Sequence, residues 1–128
     1  MNILFVEDDA MNRRVVRDML TVAGANMDEA TDAETGLRMI DEREYDIVLM
    51  DLRMPGMDGL TAIRLLRARP DSKASVPVIV VTADTALDIC QSCVDQGADE
   101  VILKPVAMNK LFDAIGRLIA RGAQPILN

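Results

Sequence analysis

Tyr45-Asp46-Ile47-Val48-Leu49-Met50-Asp51-Leu52-Arg53-Met54-Pro55-Gly56-Met57-Asp58-Gly59 is the stretch on which the reading of this chain turns. Its first half is a mostly apolar run of strand length and its second half carries the Pro and Gly of a loop. Asp51 stands at the junction. A carboxylate at the mouth of a buried strand is aimed at solvent from a rigid base, whereas inside the strand its desolvation costs roughly several kcal/mol. Asp51 is therefore a candidate reactive group, and its meaning depends on what else reaches the same edge.

Outward from this run, five strand-length segments alternate with longer segments of helical period. The strands are expected at Asn2–Val6, Asn26–Ala30, Asp46–Met50, Val78–Val81 and Glu100–Leu103. Such alternation predicts an α/β fold, a doubly wound parallel sheet with helices on both faces. The first, third and fourth runs are nearly unbroken Ile, Leu and Val, as strands covered on both sides should be, while the second is weaker and fits an edge. Val15, Met19 and Ala23 mark one face of a first helix, closed by Gly24. Thr31 and Glu34 have capping-box spacing and open a second, with Ala33, Leu37 and Ile40 inward. Asp58 caps a third through Leu60, Ile63 and Leu66, ended by Pro70. A fourth spans Thr85 to Gln96 with Gly97 after it, and a fifth runs through Leu111, Ile115, Leu118 and Ile119. Residues 1–120 form one domain and 121–128 a short C-terminal tail.

Composition narrows the function. The 128 residues suit a single domain, half of them are apolar, and no apolar run approaches the roughly 20 residues that cross a bilayer. With no basic stretch ahead of the first apolar run, no signal peptide, a cytoplasmic location and no membrane partner are expected. A net charge of −7 opposes direct contact with nucleic acid, and with no Trp, two Phe and one Tyr there is little to stack on bases. The absence of His leaves carboxylate oxygens as metal ligands, which favour magnesium, calcium or manganese. Cys90 and Cys93 form a C-x-x-C without a second pair or a His, and read as packing thiols in a helix. The nine Met residues are scattered gap-fillers.

In an open parallel sheet, ligands gather beyond the carboxyl ends of the strands. Glu7, Asp8 and Asp9 follow the first strand, Asp51 the third, Thr82 the fourth, and Lys104 with Pro105 the fifth. If the first and third strands are neighbours, each like-charge pair costs roughly 4 kcal/mol at about 4 Å in an effective dielectric near 20. One carboxylate is then protonated or a cation sits among them. Oxygen-ligated magnesium is the simplest answer, because it binds through one or two carboxylates and leaves room for a phosphoryl oxygen. A carboxylate can attack phosphorus to give an aspartyl phosphate when the transferring oxygens are neutralised. Magnesium, the Lys104 ammonium and the Thr82 hydroxyl with nearby amides would each take one oxygen.

These motifs together resemble the receiver domain of two-component response regulators, of the single-domain chemotaxis type. They are Glu7 with Asp8, Asp51 followed by Met54, Pro55, Met57, Asp58 and Gly59, then Thr82 with Ala83, Gly97 with Ala98, and Lys104 with Pro105. The likeness runs from about Asn2 to Ala120. It implies a flavodoxin-like five-stranded sheet of order 2-1-3-4-5 with five helices. It also implies that Asp51 accepts a phosphoryl group from a phosphohistidine of a sensor histidine kinase or histidine phosphotransfer protein. Asp8 and Asp51 would hold magnesium with the backbone carbonyl of Arg53, Glu7 acting mainly through water, and Lys104–Pro105 would be cis. Such a domain is a phosphoacceptor that assists its own phosphorylation and dephosphorylation, not an enzyme on other substrates. Its output would be protein contact or onward phosphotransfer, from a stand-alone regulator or a receiver cut from a hybrid kinase. Val101 departs from the family, where many members place a Tyr or Phe that swings inward with the Thr. Arg53 and Asp84 fall beside the phosphoryl position by the same likeness and are expected to pair across it.

Three other functions compete. A magnesium-dependent phosphatase with an aspartyl-phosphate intermediate needs a second acid two residues after the nucleophile, where Arg53 stands. A flavin carrier would be repelled by the carboxylates after the first strand. An interaction module indifferent to phosphorylation would not require the full acceptor set.

Overall fold

The computed structural model describes residues 1–84 and 87–123, and within them five strands alternate with five α-helices. They are β1 (Asn2–Val6), α1 (Ala10–Val22), β2 (Asn26–Ala30), α2 (Ala33–Glu42), β3 (Ile47–Asp51), α3 (Gly59–Arg67), β4 (Val78–Thr82), α4 (Leu87–Gln96), β5 (Glu100–Leu103) and α5 (Met108–Ala123). All strand pairs are parallel, in the order β2-β1-β3-β4-β5. β1 and β3 are thus neighbours, as the carboxylate argument requires. The polar β2 lies at an edge and is mostly half-buried.

Strand periodicity divides the core into two layers. Ile3, Phe5, Ile47, Leu49, Ile79 and Val81 pack with Val16 and Leu20 of α1 and Leu111, Ala114, Ile115 and Leu118 of α5. Leu4, Val6, Val48, Met50, Val78 and Val80 pack on the other face with α2 and α3 residues such as Ile40, Ala62, Ile63 and Leu66. Cys93 of α4 joins this second layer fully buried, and both cysteines are free thiols.

Several local expectations shift. The buried stripe of α1 is Val16 and Leu20, not the face led by Val15 and Ala23; Val15 is 41% exposed, and Met19 only flanks the core. Two adjacent apolar stripes satisfy the same 3.6-residue period, and packing against β1 and α5 selects the one carrying Val16 and Leu20. The cap of α2 is Asp32, whose Oδ1 accepts the Thr35 amide at 2.7 Å, so Thr31 is not the capping residue. Gly24 takes a left-handed φ of 76° after α1, as a helix-terminating glycine should. The start expected for α4 at Thr85 lies outside the described residues. α5 continues to Ala123, three residues past the boundary expected at Ala120, with Arg121 reaching Asp99 at 3.6 Å and Glu100 at 3.8 Å. The rest of the expected tail, residues 124–128, lies outside the described residues.

Asp58 caps α3 as expected, its Oδ1 accepting the Thr61 amide at 2.8 Å. This bond, with the Thr61 side chain, holds the Asp58 carboxyl below its ordinary pKa. Asp58→Ala should lower unfolding free energy by about 1 kcal/mol in urea titration. No change in midpoint would mean that the cap contributes nothing.

Candidate functional site

Parallel winding brings the carboxyl ends of β1, β3, β4 and β5 to one edge. Five of the expected residues converge there. Lys104 Nζ lies 2.8 Å from Glu7 Oε1 and 3.3 Å from Asp51 Oδ1. Ligand oxygens of Glu7, Asp8 and Asp51 all fall within 4.8 Å of one another. Thr82 closes β4 beside them and is buried. The Lys104–Pro105 peptide is cis.

Asp51 is more deeply set than its sequence position implies. β3 runs one residue further than predicted, so Asp51 is the last strand residue, in register with Val81 and only 3% exposed. It is not aimed freely at solvent. Its charge is offset by the Lys104 ammonium and by the Arg53 amide, 3.4 Å from Oδ1. β4 likewise extends to Thr82, whose carbonyl accepts the Lys104 amide at 2.8 Å and thereby fixes where the lysine leaves the sheet. Gly59 keeps the acceptor loop tight: a Cβ there would stand 2.3 Å from the Asp51 carbonyl oxygen. No side chain larger than hydrogen fits against that backbone.

Glu7 is 1% exposed. Burial, reinforced by the Asp51 charge and opposed by Lys104, pushes its pKa up to about 7. Lys104, which burial alone would push down, is held above its ordinary value by Glu7 and Asp51. Oε1 of Glu7 is buried and has the Lys104 ammonium as its close partner. Three carboxylates whose oxygens lie within 4.8 Å of one another, with one ammonium to offset them, form the hard-oxygen donor set that a divalent cation would satisfy. The residues therefore fit magnesium. Glu7 meets Lys104 directly, Oε1 to Nζ at 2.8 Å.

Arg53 and Asp84 meet as expected, Nη2 to Oδ2 at 2.6 Å. Both ends are tied to the site, since the Asp84 amide donates to Thr82 Oγ1 at 3.1 Å and the Arg53 amide to Asp51. Asp9, next to the acidic pair, serves instead as the cap of α1. Val101 is half-buried and packs against the layer that holds α2 and α3.

The residues match the model of the response regulator receiver domain over 3–116. The chain belongs to that family. This receiver domain is 35% identical over 119 residues to the sensory/regulatory protein RpfC of Xanthomonas campestris pv. campestris, covering 92% of the chain but 16% of RpfC. It is 33% identical to the protein described as "Probable transcriptional regulatory protein SilR" of Salmonella typhimurium, covering 95% of the chain and 52% of SilR. Among solved structures it is similar to the receiver domain of sensor histidine kinase PA1611 from Pseudomonas aeruginosa PAO1. The two share 31% identity and a TM-score of 0.85, over 93% of this chain and 97% of the other, and that structure has a magnesium ion coordinated in its active-site cleft. Receiver domains of this kind occur in hybrid histidine kinases and in response regulators and receive phosphate from histidine kinases. Among the described residues, no helix is long and apolar enough to cross a membrane.

One contributor escaped the sequence reading. Arg13 of α1 donates to the backbone carbonyl of Glu7 at 2.9 Å and to Glu29 Oε1 at 2.9 Å. Its spacing from Glu7 carried no signal, because the pairing with β2 exists only once β1 and β2 are adjacent.

Proposed function

We propose that Asp51 accepts a phosphoryl group from the phosphohistidine of a sensor histidine kinase or histidine phosphotransfer protein, with magnesium held by Glu7, Asp8, Asp51 and the Arg53 carbonyl. The observation that carries this reading is the Lys104 ammonium lying between the Glu7 and Asp51 carboxylates, at 2.8 and 3.3 Å. An Asp51 carboxylate oxygen attacks phosphorus, the new O–P bond forms as the P–N bond breaks, and the leaving imidazole keeps the electron pair. Lys104 and the Thr82 hydroxyl meet charge on the transferring oxygens, and the buried walls of β1 and β3 limit water. Magnesium, when bound, supplies further neutralisation of that charge. Incubating the protein with a small phosphodonor and magnesium, then measuring intact mass, tests the proposal: one added phosphoryl group supports it, and steady release of phosphate without a modified protein points to a phosphatase.

The phosphorylated form would act as a two-state switch read by protein contact or passed onward by phosphotransfer. Val101 is too short to report Thr82 movement by an aromatic rotamer exchange, so coupling to α4 and β5 is weaker or runs through other contacts. Support for a role of the Arg53–Asp84 pair in lifetime comes from its anchorage to Asp51 and Thr82. As a fairly exposed ion pair its effect on stability is under about 1 kcal/mol. Its effect on the attacking water is separable from that. Arg53→Ala and Asp84→Ala should each hasten dephosphorylation about threefold, and the double variant no more than either alone. Fully additive effects would remove the pairing.

A further inference from the structure

Arg13 joins three elements at the rim of the acidic site. Its guanidinium, on a side chain only 15% exposed, reaches from α1 to Glu29 on β2 through Nε and to the Glu7 carbonyl at the end of β1 through Nη1, both at 2.9 Å. Glu29 is also held by Arg17, one helical turn on. The surrounding backbone is pinned as well: the Glu7 amide donates to the Ala30 carbonyl at 2.9 Å, and the Asp9 amide to Glu7 Oε2 at 3.3 Å. Between these fixed points lies the Glu7–Asp8 peptide. The Glu7 carbonyl that Arg13 holds belongs to this peptide, so its orientation sets where the Cα–Cβ bond of the exposed Asp8 points.

Resting on the magnesium reading above, we propose that Arg13 is a positioning residue for the metal site, holding the Glu7–Asp8 peptide so that Asp8 faces Asp51. Groups that orient metal ligands from behind typically contribute about 10- to 100-fold in affinity. Charge alone argues the other way. A cation near the site repels magnesium, so removing it without a positioning role would tighten binding. The two effects have opposite signs, which makes the inference decidable.

Magnesium chloride titration by isothermal calorimetry on wild type, Arg13→Met and Arg13→Lys, each checked for a cooperative thermal transition, reads the difference. Wild type should bind, Arg13→Met should bind about tenfold more weakly, and Arg13→Lys should fall well short of wild type, because an ammonium cannot hold two acceptors in one planar fork. Phosphorylation from a small phosphodonor should then need more magnesium for half-maximal rate while approaching the wild-type maximum at saturation. Unchanged or tighter binding in Arg13→Met, or wild-type affinity in Arg13→Lys, overturns the inference. Failure of wild type to bind magnesium overturns instead the reading of the site on which it rests.

Discussion

Asp51→Asn should take up no phosphoryl group under conditions in which wild type gains one, a loss of the whole signal in intact mass. The amide oxygen is a poor nucleophile and carries no charge, so the step that forms the O–P bond has no donor of electrons. The fold should survive, because Asn has nearly the same shape and the backbone pairing of Asp51 with β4 does not involve the side chain. The substitution also removes one of the two negative partners of Lys104, leaving the ammonium with Glu7 at 2.8 Å. Relief of like charge around Glu7, whose pKa is pushed up first by burial and then by Asp51, should leave the variant no less stable than wild type in the absence of magnesium. A variant that is still phosphorylated would place the acceptor elsewhere, with Asp8 the first alternative to map.

Lys104→Met should damage both stability and chemistry. Glu7 and Asp51 are 1% and 5% exposed at the side chain, and the ammonium lies between them. Removing it leaves two buried carboxylates without their cation, a change of about 3 kcal/mol in unfolding free energy, reduced to the extent that Glu7 takes up a proton. Magnesium should restore part of that loss through preferential binding to the native state. The affinity for magnesium should not fall, because the competing positive charge has gone. Phosphorylation should slow by about a hundredfold even at saturating magnesium, the usual effect of deleting one charged donor aimed at developing charge. Stability assays in urea with and without magnesium, alongside single-turnover phosphorylation, separate the two effects. A Lys104→Met protein phosphorylated at the wild-type rate would reduce the lysine to a structural ion pair.

Much of this was legible in the chain because the information is local. The unbroken Ile, Leu and Val of β1, β3 and β4 encode burial on both faces, and polar residues directly after each run mark the strand ends that share one edge. Asp58 could be recognised as a cap from its place before Gly59 and Leu60. Other features depend on neighbours far away in sequence. The choice between the Val15 and Val16 stripes of α1 is made by what β1 and α5 present to it, and helical period cannot decide it. Thr31 and Asp32 are both competent caps, and only the observed turn selects Asp32. The extra residue at the end of β3 comes from pairing with β4, which buries Asp51 where local sequence implied solvent. Arg13 and Glu29 lie 16 positions apart and meet only through the parallel pairing of β1 with β2. The same holds for Arg67, which from α3 donates to the carbonyls of Ala74, Val76 and Gly97 and pairs with Asp99 at 3.0 Å, tying the turn before β5 to the helix.

The proposed phosphoryl acceptor is the carboxylate at the end of β3, served by Lys104 and magnesium. Borohydride reduction of phosphodonor-treated protein, which converts an aspartyl phosphate to homoserine, followed by peptide mass mapping, reads this directly. A single reduced position is expected at residue 51, formed with magnesium and absent when the metal is chelated. Reduction at another carboxylate, or an equal yield at Asp51 without any divalent cation, would contradict it.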